Sequence, residues 1–114
     1  MHNYRKLRVY AAALDLAERI YRHTASFPNA ERYNLTDQLR RCAVSVPSNI
    51  AEGCGRSTNK DTARFISTAI GSAFEAETQL VLARRFGYGE DSDLEERLVG
   101  LQRQLSSFRD QLVR

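Results

Sequence analysis

The chain has 114 residues, of which 27% are charged, and a formal net charge of +3, so it is long enough for one domain with its own core. Such a small positive excess argues against a protein that coats DNA, but it permits contact with a polyanion. We find neither an apolar run near the roughly 20 residues of a membrane span nor the apolar segment of a signal peptide. We therefore expect a single soluble domain over residues 1–114, cytoplasmic and without contact to a membrane.

The two cysteines, Cys42 and Cys54, do not have the spacing of metal ligands. If one helix carries both, they lie about 18 Å apart, which is too far for a mutual disulfide. We expect two reduced thiols, with Cys42 packed as a small apolar residue.

Residues 1–8 form a basic leader, and the first helix is predicted from about Leu7 to about Ala25. It carries two neighbouring apolar stripes, the first made of Val9, Ala13, Leu16 and Ile20, the second of Tyr10, Leu14, Ala17 and Tyr21. Two stripes are wider than the apolar face of an ordinary surface helix. Either the helix lies deep in a monomeric bundle, or its second stripe contacts another subunit.

The second helix is predicted to start between Tyr33 and Asp37 and to end at Gly53, because glycine tolerates the left-handed cap conformation. Gly55 would support the same ending. Pro47 lies inside this helix, where a proline costs about 3 kcal/mol. The apolar spacing continues straight through the proline, so we predict one kinked helix instead of two separate helices.

A polar stripe follows the second helix beside its apolar face, and its residues are Ser45, Ser48, Asn49 and Glu52. Short hydroxyl and amide side chains are unusual on a solvent-facing helix, where Lys and Glu are common. Either the kink simply fits the helix around the core, or the stripe also forms hydrogen bonds at an interface or to a ligand. Gly71, Ser72 and Glu75 of the third helix lie within reach of it and join the same candidate set.

The third helix is predicted from a capping box at Thr58 and Asp61 to about Phe86. A glycine inside a helix costs up to about 1 kcal/mol relative to alanine, so we expect another helix to approach closely at Gly71 and Ser72. The large apolar residues are expected to fill the remaining core: Phe65, Ile66, Ile70, Phe74, Leu80, Leu82 and Phe86.

The fourth helix follows a break at residues 87–89 and a second predicted capping box, Ser92 with Glu95. Its apolar residues alternate at spacings of four and three: Leu94, Leu98, Leu101, Leu105, Phe108 and Leu112. This heptad-like seam fits a bundle. Four helices with short connections, and no segment with strand alternation, predict an all-α antiparallel up-down-up-down four-helix bundle.

Charge is distributed unevenly along the chain. The basic groups are candidates for nucleic-acid contact: Arg5, Lys6, Arg8, Arg40, Arg41, Arg56, Lys60 and Arg64. Acidic residues cluster elsewhere: Glu90, Asp91, Asp93, Glu95 and Glu96. The basic groups could hold phosphates, or they could pair with acidic groups of neighbouring subunits.

No arrangement of residues indicates an enzyme. The two histidines, His2 and His23, are expected at the surface, and the sequence lacks the Glu-x-x-His pairs of di-iron bundles and any nucleotide-binding loop. The segment Gly53–Ser57 resembles a phosphate loop only loosely. We therefore expect no catalytic residue, no metal and no cofactor.

A set of motifs in a fixed order identifies a family: residues 4–10 (YRKLRVY), 20–21 (IY), 27–33 (FPNAERY), 38–41 (QLRR), 45–53 (SVPSNIAEG) and 71–80 (GSAFEAETQL). In this order the chain resembles the bacterial four-helix-bundle family of the protein encoded in intervening sequences of 23S ribosomal RNA. The run at 45–53 is the most specific part of the resemblance, which covers nearly the whole chain. A related branch contains accessory proteins of diversity-generating retroelements, which assist a reverse transcriptase.

The resemblance implies a homo-oligomer, a ring-like pentamer, without a known catalytic site and with a role around structured RNA. Because the net charge is modest, we favour the intervening-sequence branch. The primary hypothesis is a protein that binds RNA or another nucleic acid, and the alternative is a protein-binding adaptor for a reverse transcriptase or another RNA enzyme. A small-molecule or metal enzyme is the third possibility.

Overall fold

The computed structural model of the protein describes residues 1–89 and 93–114. Four α-helices account for most of them: α1 (Arg8–Thr24), α2 (Leu35–Cys54), α3 (Asn59–Arg85) and α4 (Leu94–Leu112). Short 3-10 helices, Tyr4–Lys6 and Asn29–Glu31, precede α1 and α2. The described residues contain no strand, so the all-helical prediction is confirmed, and the predicted helix boundaries are correct to within about two residues.

The four helices enclose one core. Helix α3 has 27 residues and is about 40 Å long, so it runs the length of a molecule that measures 43 × 23 × 20 Å. Helix α2 packs most extensively on α3, α3 packs on α4, and α1 touches both α2 and α4. Among the described residues, no helix is both long enough and apolar enough to cross a membrane.

Of the two apolar stripes predicted on α1, the first lies in the core. Val9, Ala13, Leu16 and Ile20 are all buried. In the second stripe, Tyr10 and Ala17 are half-buried against the core, whereas Leu14 is 40% exposed and Tyr21 is 43% exposed. The interpretation of a helix set deep within a monomer therefore does not hold for Leu14 and Tyr21.

Helix α2 continues through a buried Pro47, which confirms one helix across the proline. The predicted reason for its glycines is wrong. Gly55 has an ordinary φ of −83°, and within the described residues positive φ values occur only at Gly87 and Gly89. Gly53 is needed for space instead, because a Cβ there would lie 2.6 Å from Cβ of Phe65 and 3.2 Å from the carbonyl oxygen of Thr62.

Helix α3 begins with the predicted cap, since Oγ1 of Thr58 accepts a hydrogen bond of 3.1 Å from the Asp61 N–H. Its small residues are buried: Ala63, Ala69, Ala73, Ala76 and Ala83. Phe74, Leu82 and Phe86 were expected in the core, but they are exposed. Spacings of eight and four residues place these three on one side of the helix, opposite its buried alanines.

Gly71 lies on the same outer side of α3. A Cβ at this position would meet nothing within 4 Å, so the expected close approach of a helix does not occur inside the chain. Half-buried Ser72 turns instead toward α2, where it forms a hydrogen bond with Ser45.

Helix α4 confirms the predicted seam. Its leucines at 94, 98, 101, 105 and 112 are buried, and Phe108 is half-buried against the core. Ser92, the first residue of the predicted capping box, lies outside the described residues, as do Glu90 and Asp91. Asp93 occupies the N-cap without a side-chain capping bond and forms ion pairs with Arg19 and Arg97.

The approach of α2 to α3 at Gly53 gives a stability prediction. We expect Gly53→Ala to lower the free energy of unfolding by about 1–3 kcal/mol, because the added methyl group must displace backbone or a rigid Cβ. Urea denaturation measures the change. Gly55→Ala is the matched control, since its Cβ would meet the Glu52 carbonyl at an ordinary 3.5 Å. Equal stability of the two variants would contradict the role of the close approach.

Candidate nucleic-acid interface

The N-terminal leader is attached to the end of the bundle where α2 finishes and α3 begins. The His2 N–H donates to the carbonyl of Cys54 at 3.0 Å. The His2 ring nitrogen Nε2 lies 3.0 Å from Oδ1 of Asn59, and the ring packs edge-on against Phe108. These contacts bring the leader residues Arg5, Lys6 and Arg8 to the same end of the molecule as residues 56–64.

Six of the eight predicted basic candidates therefore share one end. We call it the basic end, and it comprises Arg5, Lys6, Arg8, Arg56, Lys60 and Arg64, all of them exposed. The sequence places the two groups about 50 residues apart, and the fold unites them. Arg109 of α4 joins them, since it donates to Oγ of Ser67 at 3.2 Å and lines a shallow depression together with Lys60 and Arg64.

Two of the arginines at the basic end are held by a carboxylate and a ring. Arg64 donates to Oδ1 of Asp61 at 2.8 Å and 3.1 Å, and Arg56 lies 3.7 Å from Oδ2 of the same carboxylate. The guanidinium carbons of Arg56 and Arg64 lie 4.4 Å and 5.0 Å from the centre of the Phe65 ring. Asp61 also suits the positive N-terminus of α3.

Other cations of the basic end are unengaged. Within the described part of the chain, the side chains of Lys6, Arg8 and Lys60 have no hydrogen-bond or ion-pair partner. Their charges are free to meet phosphate without first breaking an internal contact.

The remaining candidates, Arg40 and Arg41, lie elsewhere, next to the C-terminal half of α1. Arg40 is half-buried; it donates to Oγ1 of Thr24 at 2.8 Å and to the Tyr21 carbonyl at 3.2 Å, and it stacks 4.7 Å from the Tyr21 ring centre. The second of these bonds satisfies one of the C-terminal carbonyls of α1. Arg41 is exposed and pairs with Asp37 one turn earlier at 3.0 Å. The fold does not bring these two residues to the basic end.

Acidic residues gather at the opposite end of the bundle. Asp93 pairs with Arg19 and Arg97, and Glu95 pairs with Arg84 at 2.8 Å. The Tyr88 hydroxyl donates to Glu31 at 3.2 Å nearby. We call this the acidic end for its carboxylates, but arginines there balance their charge: Arg19, Arg22, Arg84, Arg85 and Arg97.

The polar stripe of α2 faces α3 with part of its length. Oγ of Ser45 and Oγ of Ser72 share a hydrogen bond of 2.8 Å, and the amide of Asn49 donates to the Ser45 carbonyl and hydroxyl at 2.8 and 3.0 Å. Ser48 and Glu52 are exposed. The inner members of the stripe therefore join two helices of one chain, and its outer members remain open.

Cys42 extends this polar stripe by one turn. The residue type alone did not predict this role. The Cys42 thiol is buried, but it is not purely apolar in its contacts, because Sγ donates to Oε2 of Glu75 at 3.0 Å. Burial, the hydrogen bond to Glu75 and the charge of Glu75 raise the pKa of Cys42 to about 12. Burial also raises the pKa of Cys54. Both cysteines are free thiols.

The fold defines the chain as an all-helical protein with four helices around one core and a cluster of exposed cations at one end. It belongs to the family described as 23S rRNA-intervening sequence protein, whose family model matches residues 5–107. A comparison with curated proteins finds no match to this chain. The match spans both segments of the basic end and the polar stripe, so the resemblance seen in the sequence motifs is confirmed.

The buried Cys42 thiol gives a prediction about pH. Its folded-state pKa lies above the ordinary value of 9.0, so between pH 9 and about pH 12 the unfolded chain loses a proton that the folded chain keeps. The contribution of this thiol to stability is complete below pH 9 and is lost as pH rises toward 12. We expect the difference in unfolding free energy between wild type and Cys42→Ser to shrink across that window.

Chemical denaturation at pH 8, 9, 10 and 10.5 measures this difference. All other titrating groups are shared by the two proteins, so their effects cancel. A difference that stays constant from pH 8 to pH 10.5 would show that the thiol has no raised pKa. Alkylation by iodoacetamide at pH 8 is a second readout, since Cys42 should react only after unfolding.

Proposed function

We propose that this protein binds RNA through the basic end, as a non-enzymatic homo-oligomer. The observation that carries the proposal is the convergence of two separate basic segments, residues 5–8 and 56–64, on one end of the bundle. The acidic residues lie at the other end, where arginines balance them, so the excess of cations over carboxylates that attracts a polyanion is largest at the basic end. The family description, which refers to 23S rRNA, favours RNA over other polyanions.

A single copy offers few unengaged cations, and the net charge is only +3. Symmetric assembly multiplies such a weak site, because each further contact on the same RNA forms at a high effective concentration. A modest charge per chain is therefore compatible with useful affinity for a long RNA.

We propose that the four helices of each chain run up-down-up-down. Contacts support that topology: along α2 and α3, Cys42 meets Glu75 and Ser45 meets Ser72, so chain numbers rise on one helix as they fall on the other. The same holds for α3 and α4, where Arg84 meets Glu95 and Ser67 meets Arg109. Pro47 removes one helical N–H from α2, and we expect the helix to bend there.

Exposed apolar surface supports the homo-oligomer. Leu14 and Tyr21 of α1, Val44 of α2, and Phe74 and Leu82 of α3 are all at least 40% exposed in the single chain. A second copy would cover them, and the space at Gly71 would admit its side chains. We propose that α1 of one copy packs on the outer faces of α2 and α3 of the next. A contact between two different faces generates a ring when its rotation closes, and the resemblance implies that this ring is a pentamer.

RNA binding is expected to depend on salt and on the basic end. We expect the variant Lys6→Gln, Arg8→Gln, Lys60→Gln to bind RNA more weakly and with a shallower dependence of log K on log salt. Each phosphate contact that is lost removes about 0.7–0.9 from that slope. Fluorescence anisotropy with a labelled stem-loop RNA, measured from low to physiological salt, gives both quantities.

The control for this experiment is Arg22→Gln with Arg85→Gln, which removes two charges where the test variant removes three, so the changes in slope are compared per charge removed. Both arginines are exposed and lie toward the acidic end, so this variant should keep the affinity and slope of the wild type. No RNA binding by wild type at low salt, or binding without a salt slope, would refute the proposed function. Equal losses in the two variants would refute the basic end as its site.

Assembly is tested by light scattering coupled to size exclusion. Wild type should have a mass that is a multiple of the 13.0 kDa chain, and five copies are expected. Leu14→Glu with Phe74→Glu should reduce it to one chain, because charged groups cannot be buried unpaired in an interface. Tyr33→Glu is the control, since Tyr33 is 83% exposed between α1 and α2 and should leave the mass unchanged. A monomeric wild type would refute the assembly.

A further inference from the structure

The cations of the basic end include two chemical groups. Lys6, Arg8 and Lys60 present free charge, as described above. Arg64 already donates two hydrogen bonds to Asp61, and Arg56 lies 3.7 Å from the same carboxylate, which cancels part of the charge of both. These two are poorly suited to phosphate, because phosphate recognition by arginine uses the same N–H edges and a full positive charge.

The planar faces of the Arg56 and Arg64 guanidinium groups remain available for stacking. Both guanidinium groups lie over the Phe65 ring, and their side chains remain 44% and 70% exposed. A guanidinium group that is held between a carboxylate and an aromatic ring presents a planar cation at a defined place on the surface. Flat surfaces of this kind stack on nucleotide bases.

Phe65, which lies beneath the two guanidinium groups, belongs to the tightly packed contact between α2 and α3. The Cβ of Phe65 packs against Gly53, where even a methyl group would not fit, so the α3 backbone that carries the ring is held closely against α2. A second arrangement of the same type lies in the leader of the same end, where the Arg5 guanidinium carbon is 4.6 Å from the Tyr4 ring centre. Tyr4 in turn packs edge-on against Tyr10 at 5.0 Å.

We propose that Arg56, Arg64 and Phe65 form a stacking platform for unpaired RNA bases, while the free cations nearby hold the phosphates. The inference rests on the proposed function and specifies its substrate class. Bases in a duplex are stacked on one another and hide their faces, whereas bases in loops, bulges and single strands expose them. The preferred ligand is therefore RNA with unpaired nucleotides, and a fully paired duplex binds through charge alone.

Substitution by lysine separates stacking from charge. Arg56→Lys with Arg64→Lys keeps the net charge and the possibility of pairing with Asp61, but removes the planar groups. We expect its affinity for a single-stranded RNA to fall about tenfold or more, since stacking of even one base contributes that much. Its affinity for a blunt RNA duplex of equal length, and the salt slope for both RNAs, should match the wild type.

Arg84→Lys is the matched control. Arg84 is also bound to a carboxylate, that of Glu95, but it stacks on no ring among the described residues and lies at the acidic end. It should change neither affinity. Phe65→Leu keeps the packing against Gly53 and removes the ring, so it should repeat the selective loss for single-stranded RNA. Urea denaturation of each variant verifies that it folds as the wild type does.

The outcomes distinguish this inference from the function on which it rests. If wild type binds neither RNA, the proposed function fails. If wild type binds duplex as tightly as single strand, the platform is refuted and the proposed function stands. If the lysine variant folds normally and binds single-stranded RNA as tightly as wild type, Arg56 and Arg64 serve only to cap and stabilise α3, and the platform is likewise refuted.

Discussion

The close approach of α2 and α3 at Gly53 is the contact on which the rest of the molecule depends. It places the end of α2 directly beside the first turns of α3, so the carbonyl of Cys54 is available to the N-terminal leader and Phe65 is fixed next to Arg56. The leader reaches the same end through its own contacts with Cys54 and Asn59. The absent side chain at residue 53 thus fixes the helix packing beside which the basic residues gather.

The same helix pair separates two kinds of polar chemistry. Toward its middle, Cys42, Ser45 and Ser72 form hydrogen bonds between α2 and α3, and the groups there are short and neutral apart from Glu75. Toward its end, long charged side chains reach into solvent. Short hydroxyl groups and the thiol fix the register of the helices with little loss of side-chain entropy, whereas the long cations keep the freedom to adapt to a flexible polyanion.

Periodicity predicted the helices well because apolar spacing reports directly on burial. The seam of α4 and the first stripe of α1 are core, and α2 continues through Pro47 as its spacing indicated. The outer side of α3 was predicted wrongly. Phe74, Leu82 and Phe86 have the residue types of a core, and composition alone does not show which apolar groups a single chain leaves for another surface.

The sequence predicted the individual residues of the candidate site but not which of them lie together in space. The sequence singled out the basic groups, yet it could not show that Arg40 caps α1 or that Arg109 joins the basic end, since both facts depend on contacts between distant helices. The contact between Cys42 and Glu75 was missed for the same reason. Its signal was present in the register of the two stripes, where residue 42 extends the polar spacing of Ser45 and Asn49 by one turn.

The exposed apolar groups of α1 and α3 also affect the stability of the folded chain. In the proposed ring, water would leave these side chains only on association, so part of the free energy that favours the native chain would come from its neighbours. Mass action would then enter the melting temperature, which would rise with protein concentration. Dilution would weaken the fold itself as well as the ring.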